Sequence, residues 1–221
     1  MILAIDTATR WTGLALFSET AVLAETGWHS RNTQTIELTP AIGLMLHRAG
    51  LAPADLAGIA VAIGPGSYTG LRVGLGVAKG LALANQTPLV GVPTLDIVAH
   101  GFGPTDMPLL AVAAAGRSRV CAAVYTWQPR HGWLPQAAPV IESWANLLPT
   151  LSGPTLFAGE ISAAAAKQIR AASRAFKLAP PAAATRRAAC LAELGWQRLR
   201  KGQADDPRTL APVYLKDPAG G

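Results

Sequence analysis

The stretch Gly64-Pro65-Gly66-Ser67-Tyr68-Thr69-Gly70 separates two very different segments of the chain. Before it, residues 58–63 form an apolar run whose β-branched side chains are typical of a strand buried on both faces. After it, residues 71–84 predict a helix rich in small side chains. A strand, a glycine turn and a helix N-terminus commonly direct backbone N–H groups at an anion. This order predicts an α/β fold, with the glycine turn as the first candidate site.

The glycine turn matches neither of the common phosphate-binding patterns. A P-loop requires Lys and then Ser or Thr after its last glycine, but Leu71 and Arg72 stand there. The dinucleotide-binding pattern requires a third glycine where Thr69 stands. Thr69 also breaks the Gly-x-Ser-x-Gly pattern of a nucleophile elbow, so Ser67 is expected to be a turn or helix-cap hydroxyl. Two alternatives remain: the turn binds an anion by another route, or it is built for close packing.

Length and composition predict a globular protein of the cytoplasm. Half of the 221 residues are hydrophobic and only 14% are charged, which suits one large core or two small lobes. No apolar run approaches the roughly 20 residues of a membrane-spanning helix. Asp6 interrupts the first apolar run too early for a signal peptide. Cys121 and Cys190 lie in apolar surroundings, where reduced, buried thiols are expected.

The basic balance of the chain leaves a role in nucleic-acid binding open. The net charge is +6 and the isoelectric point is about 9.8, which permits contact with phosphate groups. The densest basic segment, residues 167–201, is explained either by solvated helix faces or by a phosphate-contacting surface. No zinc-ligand spacing and no aromatic-and-basic RNA-binding strand is found. Charge alone therefore does not assign a function.

The predicted elements follow the same order twice. Strands at 2–5, 12–17 and 21–28 precede a helix at 33–49, the strand and helix around the glycine turn, a strand at 89–92 and a helix at 95–99. A boundary rich in glycine and proline follows at 101–108. The second half predicts strands at 109–114, 120–127, 132–141, 155–158 and 176–178, with helices at 144–151, 163–172 and 183–201. This order indicates a duplicated ribonuclease-H-like unit, with lobes at 1–102 and 103–221.

Several motifs together resemble one family. They are Ile2-Leu3-Ala4-Ile5-Asp6-Thr7-Ala8-Thr9, the glycine turn with its helix, Gly91-Val92-Pro93-Thr94-Leu95, and the shorter segments 34–40 and 211–216. The chain is similar in these residues to the TsaB (YeaZ) family of the bacterial machinery that makes N6-threonylcarbamoyladenosine (t6A) in tRNA. The resemblance is dense over residues 1–100, thin over 103–205, and brief again near residue 216.

The resemblance implies a two-lobed fold of the actin-like ATPase (ASKHA) superfamily and no catalytic role for the chain itself. It implies that the first lobe binds and activates TsaD, the paralogue that modifies position 37 of tRNA, and that the ATPase TsaE joins the assembly. It also implies a homodimer when the chain is alone. The tRNA would be reached indirectly, and no cofactor is expected for the isolated chain, with any ATP entering at the level of the complex.

The residues themselves disfavour the alternative of an ATP-binding or ATP-hydrolysing enzyme. Asp6 and Thr7 lie in the first turn and are its candidate nucleotide contacts. The second such turn is expected within 113–119, yet residues 107–141 contain no Asp or Glu to hold a magnesium ion. The four histidines are scattered and include no pair spaced four residues apart on one helix face.

Two helices instead predict a protein interface. The interior glycines of the helix after the turn each cost about 0.5–1 kcal/mol relative to alanine, so close approach must require them. Its outward face is predicted to contact a partner through Arg72, Gly76, Lys79 and Leu83. The preceding helix is apolar on more than one side, which favours burial of its stripe Leu38, Ile42 and Met45 against a second subunit.

Overall fold

The computed structural model describes residues 1–31, 33–116 and 119–215. Its first sheet contains β1 (Ile2–Asp6), β2 (Trp11–Phe17), β3 (Val22–His29), β4 (Gly58–Gly64) and β5 (Leu89–Pro93), in the spatial order β3-β2-β1-β4-β5. The first three strands are antiparallel, and β1, β4 and β5 are parallel. The associated helices are α1 (Gln34–Arg48), α2 (Tyr68–Asn85) and α3 (Thr94–His100).

The second sheet repeats the order of the first. It contains β6 (Leu109–Ala114), β7 (Arg119–Gln128), β8 (Gly132–Pro135), β9 (Val140–Ser143), β10 (Thr155–Gly159) and β11 (Phe176–Leu178). The order β8-β7-β6-β10-β11 matches that of the first sheet strand for strand, and β9 is an addition that pairs with β7. The helices are α4 (Trp144–Leu147), α5 (Ala163–Ala172), α6 (Pro181–Ala184) and α7 (Ala188–Arg200). The predicted duplication of a ribonuclease-H-like unit is confirmed.

The first sheet is buried on both faces because its central strands are apolar throughout. Leu3 and Ile5 of β1 face a core shared with α1 and α2. Ile2 and Ala4, on the other face of the same strand, pack in a core that includes Leu191 of α7. The prediction that residues 103–221 form the second lobe therefore needs correction, because α7 covers the first sheet. The segment after α7 also returns to this sheet, where the Val213 N–H donates to the Ile63 carbonyl at 2.7 Å.

Two predicted elements differ in the structure. The single strand expected at 132–141 is two strands, β8 and β9, separated by residues 136–139. The helix expected at 183–201 is interrupted between α6 and α7, where Thr185 and Arg187 adopt extended backbone angles. Within the described residues, none of the helices has the length and apolar character to cross a membrane. Arg117 and Ser118 of the predicted second turn, and Lys216, lie outside the described residues.

Candidate functional site

The glycine turn and the start of α2 lie directly on the turn that follows β1. A Cβ at Gly66 would overlap the carbonyl oxygen of Ala8, and one at Gly70 would overlap that of Thr7. A Cβ at Gly74 would overlap the Thr7 hydroxyl. Gly66 and Gly70 require glycine because backbone meets backbone there, and Gly74 requires it because the Thr7 side chain occupies the place of a Cβ. Of the two roles left open for the turn, the contacts support close packing.

Hydrogen bonds fasten the same two turns together. The Thr7 hydroxyl donates to the Gly70 carbonyl at 2.6 Å, and the Ser67 N–H donates to the Ala8 carbonyl at 2.6 Å. The Ser67 hydroxyl accepts from the Gly70 N–H at 3.3 Å and caps the N-terminus of α2. Thr7 and Ser67 therefore serve the local structure, as expected for Ser67. Thr7, a candidate nucleotide contact, directs its hydroxyl at the protein backbone.

Asp6, the other candidate contact in the first turn, is buried and paired with Arg186. Its side chain is 1% exposed. Oδ1 accepts from the Ala8 N–H at 2.9 Å and from Arg186 Nη2 at 3.3 Å, and Oδ2 accepts from Arg186 Nε. Both carboxylate oxygens thus have donors within the protein. This fork-shaped pairing is the arrangement in which Arg–carboxylate bonds are strongest.

A second carboxylate, Glu160, reaches Arg186 from the second lobe. Arg186 Nη1 donates to Glu160 Oε1 at 3.1 Å, and the Ala114 N–H donates to Oε2 at 3.0 Å. The Thr9 hydroxyl also donates to Glu160 Oε1 and accepts from Arg186 Nη2 at 3.0 Å. Glu160 follows Gly159, whose φ of +105° turns the chain at the end of β10. We call Asp6, Thr9, Glu160 and Arg186 the interlobe cluster.

Arg186 enters this cluster because the chain between α6 and α7 is extended. The Trp11 indole N–H donates to its carbonyl at 2.9 Å and helps to hold the segment in place. Burial favours a lower pKa for Arg186, but the Asp6 and Glu160 carboxylates outweigh it and raise the pKa above its ordinary value. The guanidinium therefore stays charged inside the protein. The interpretation of this arginine as part of a solvated helix face is corrected accordingly.

Three members of the interlobe cluster, Thr9, Glu160 and Arg186, line a cleft of about 1310 Å³ between the two lobes. Arg10 and Arg170 line the cleft from opposite lobes, together with residues of the glycine turn. Within the described residues, no three His, Cys, Asp or Glu side chains are grouped so as to hold a metal ion. Residues 107–141 contain no acid, but Glu160, which lies beyond them in sequence, brings a carboxylate to the Ala114 N–H at the end of β6.

The predicted interface residues divide into two groups. Leu38, Ile42 and Met45 are 0%, 4% and 7% exposed and belong to the core between α1, α2 and the first sheet. We therefore remove them from the predicted interface, because the lobe itself buries this stripe. Arg72, Gly76 and Leu83 are exposed on α2, and Lys79 is half-buried beside them.

The outward surface of the two helices is small and apolar. We call it the α1–α2 face and define it by Ile36, Gly43, Gly76, Gly80 and Leu83. Ile36 is 71% exposed and Leu83 is 54% exposed. Each of the three glycines has nothing within 4 Å of the place where a Cβ would stand. Sequence periodicity found the two helices, but it assigned the wrong side of α1 to this surface.

An aromatic and cationic cluster stands at the N-terminal end of α2. The rings of Tyr68 and Tyr214 have centroids 5.0 Å apart, and the Arg72 guanidinium lies 3.9 Å from the Tyr68 centroid. Arg72 Nε donates to the Tyr214 hydroxyl at 3.0 Å. This hydrogen bond raises the pKa of Arg72. Tyr214 thereby ties the segment after α7 to the exposed side of α2.

Two sheets of identical strand order, joined around a central cleft, define a two-lobed actin-like protein. A family model described as "TsaD: tRNA N6-adenosine threonylcarbamoyltransferase" matches residues 30–220. The chain is 35% identical over 162 residues to "tRNA threonylcarbamoyladenosine biosynthesis protein TsaB" of Bacillus subtilis, which covers 72% of this chain and 70% of that protein. The chain belongs to the TsaB family.

Two further comparisons agree with this assignment. The Escherichia coli protein of the same name is 37% identical over 123 residues, which are 56% of this chain and 49% of that protein. A solved structure described as "YeaZ from Pseudomonas aeruginosa" has a TM-score of 0.79 at 24% identity, covering 97% of this chain and 99% of that one. The structural comparison supports the fold.

Proposed function

We propose that this chain is a non-catalytic partner that binds and activates TsaD in the formation of t6A at position 37 of tRNA. Its relatives from Bacillus subtilis and Escherichia coli are named for threonylcarbamoyladenosine biosynthesis. The observation that carries the proposal is the exposed α1–α2 face, whose glycines and apolar side chains suit helix packing and which has no partner within the described residues.

The glycines of α2 support this reading because internal packing explains only some of them. Gly70 and Gly74 lie against the Thr7 turn, where no side chain fits. Gly76 and Gly80 face open space, although each costs the helix about 0.5–1 kcal/mol relative to alanine. A partner helix can approach such positions closely. Leu83 is exposed on α2 and Ile36 on α1, and exposed apolar side chains of this kind are typical of an interaction surface.

The Tyr68, Arg72 and Tyr214 cluster extends this surface along α2. Tyrosine and arginine are among the residue types enriched at interface hot spots. Arg72 is held in position by a hydrogen bond and a ring contact, and the described residues place no carboxylate within salt-bridge distance of it. A partner that supplies an acidic side chain here gains a charged hydrogen bond to a guanidinium that is already ordered.

The occupant that we assign to the α1–α2 face is TsaD. In the absence of TsaD, a second copy of the chain binds this face. A two-fold dimer uses the same patch on both subunits, so the homodimer would cover the surface that TsaD needs. The two assemblies are therefore mutually exclusive. TsaE joins the heterodimer, and tRNA is engaged through TsaD.

The alternative function, ATP binding or hydrolysis by this chain alone, has less support. The Asp6 and Glu160 carboxylates are both paired with Arg186, and the Thr7 hydroxyl bonds to the backbone. A metal-bound nucleotide would have to displace these contacts. Any nucleotide requirement is therefore assigned to the assembled complex.

The test is to mix the purified chain with TsaD of the same organism and measure mass by light scattering after size exclusion, with and without ATP. We expect a heterodimer and no ATP turnover by the chain alone. Leu83→Asp should abolish the heterodimer, whereas Val140→Asp, at an apolar side chain of β9 that is 45% exposed, should leave it intact. Absence of a heterodimer with the unmodified chain would refute the proposal.

A further inference from the structure

In the interlobe cluster, side-chain oxygen atoms from both lobes accept hydrogen bonds from one buried cation, the Arg186 guanidinium. Asp6 and Thr9 belong to the turn after β1 in the first lobe, and Glu160 follows β10 in the second. Arg186 comes from neither turn, but from the extended segment between α6 and α7. The Arg186 and Asp6 side chains are each 1% exposed. Removing charges of this kind from water costs several kcal/mol per ion, so each requires a close partner.

The ligands around Arg186 have the chemistry of a hard-cation site. Two carboxylates and a hydroxyl offer only oxygen atoms, and oxygen is the donor that Mg²⁺, Mn²⁺ and Ca²⁺ prefer. Without a cation, the buried Asp6 carboxylate and the Glu160 carboxylate, which is 26% exposed, would be two like charges at one site and would repel. The guanidinium supplies one positive charge and directs separate N–H groups at both carboxylates.

We propose that Arg186 is an internal counter-ion that latches the two lobes together and excludes a divalent cation, and with it a metal-bound nucleotide, from the cleft. The latch fixes the angle between the lobes because each lobe supplies one carboxylate to the same guanidinium. This inference concerns the cleft and does not depend on the α1–α2 face.

Three variants test the latch, with Mn²⁺ alone as the probe. Arg186→Ala leaves both carboxylates without a counter-ion, and Arg186→Lys keeps a positive charge. Asp6→Asn combined with Arg186→Ala removes one of the ligands. Binding is followed by the paramagnetic resonance signal of unbound Mn²⁺, and folding by the midpoint of thermal unfolding.

We expect Arg186→Ala to bind Mn²⁺ about tenfold or more tightly than the unmodified chain, because two carboxylate ligands become available. Mn²⁺ should also raise its unfolding midpoint. The unmodified chain, Arg186→Lys and the Asp6→Asn double variant should show neither effect. Arg187→Ala is the matched control, because Arg187 pairs with Glu25 at the surface.

Equal Mn²⁺ affinity in the unmodified chain and in Arg186→Ala would overturn the proposal. This outcome counts only if the Arg186→Ala variant is folded. If this variant is unfolded, refolding it in Mn²⁺ decides the question: recovery of the native circular dichroism spectrum supports the latch, and failure to recover refutes it. Association with TsaD is measured separately, so the two proposals can fail independently.

Discussion

Gly74 of α2 lies against Thr7, where a Cβ would overlap the threonine hydroxyl. That hydroxyl donates to the Gly70 carbonyl at 2.6 Å, so it cannot move aside without losing its acceptor. Gly76, two residues later, points to open space. One helix thus carries glycines for two different reasons: some admit the neighbouring turn, and others leave the outer surface bare.

This difference predicts opposite effects of the same substitution. Gly74→Ala should lower the free energy of unfolding, because the new methyl group meets Thr7. Gly76→Ala should raise it by about 0.5–1 kcal/mol, since alanine is the better helix former and nothing obstructs the side chain. Urea denaturation of both variants measures the two changes. Equal effects would show that Gly74 is not constrained by this contact.

Ile36 and Leu38 should respond differently to an added charge. Ile36 is exposed on the α1–α2 face, and Leu38 is fully buried. Ile36→Asp should prevent association with TsaD while the monomer stays folded. Leu38→Asp should unfold the lobe, since it places an unpaired carboxylate in the core. Circular dichroism and size exclusion distinguish the two outcomes. Loss of the monomer fold in Ile36→Asp would remove that residue from the proposed surface.

Arg186 and Arg187 are neighbours in sequence but not in environment. Arg186→Ala should cost about 3–5 kcal/mol of unfolding free energy, because it strands a buried carboxylate. Arg187→Ala should cost about 1 kcal/mol or less, since its pair with Glu25 is exposed to water. Chemical denaturation in the absence of divalent cations gives both values. A small loss for Arg186→Ala would mean that water solvates the interlobe cluster.

Asp96 should make the stability of the protein decline as pH rises. Burial raises the pKa of Asp96 above its ordinary value of 3.8, and the hydrogen bond from Tyr125, at 2.6 Å, lowers it in part. The folded state therefore holds this proton more tightly than the unfolded chain does. The stability that protonation contributes is complete below pH 3.8 and is lost as pH rises through the raised folded pKa.

Asp96→Asn tests this dependence because asparagine does not titrate and can still accept the hydrogen bond from Tyr125. Relative to the unmodified chain, the variant should gain stability as pH rises. Urea unfolding measured at several values from pH 3.8 upward, where the folded and unfolded states begin to differ in protonation, checks the trend. A difference between the two proteins that stays constant or shrinks with pH would contradict the assignment.

Periodicity and turn chemistry were sufficient to predict the order of strands and helices. Short continuous apolar runs marked the β1 and β4 strands, and glycine marked the turn between β4 and α2. Both signals depend on residues that are close in sequence, so they can be recognised without knowledge of the tertiary fold. The repeated strand order of the two lobes could be inferred for the same reason, although the halves share no evident sequence repeat.

The interlobe cluster could not be predicted, because its members are far apart in the chain. Asp6 and Arg186 are separated by 180 residues, and Glu160 lies outside the turn in which an acid was sought. The alanine-rich segment around Arg186 indicated a continuous helix, and tertiary contacts with Trp11 and Asp6 override that preference. Similarly, the apolar stripe of α1 gives no sign of whether its own lobe or a partner buries it.

The packing of α7 on the first sheet has a consequence for the order in which the chain can fold. The helix follows every strand of the second sheet in sequence, yet it covers Ile2, Ala4 and Ala60 of the first. A ribosome delivers the N-terminal segment first, and domains generally fold in that order. Here one face of the first sheet stays uncovered until residues 188–200 have emerged. The first sheet can therefore complete its folding only after the second lobe has been synthesised. Until then its uncovered apolar face is the part of the chain most exposed to aggregation.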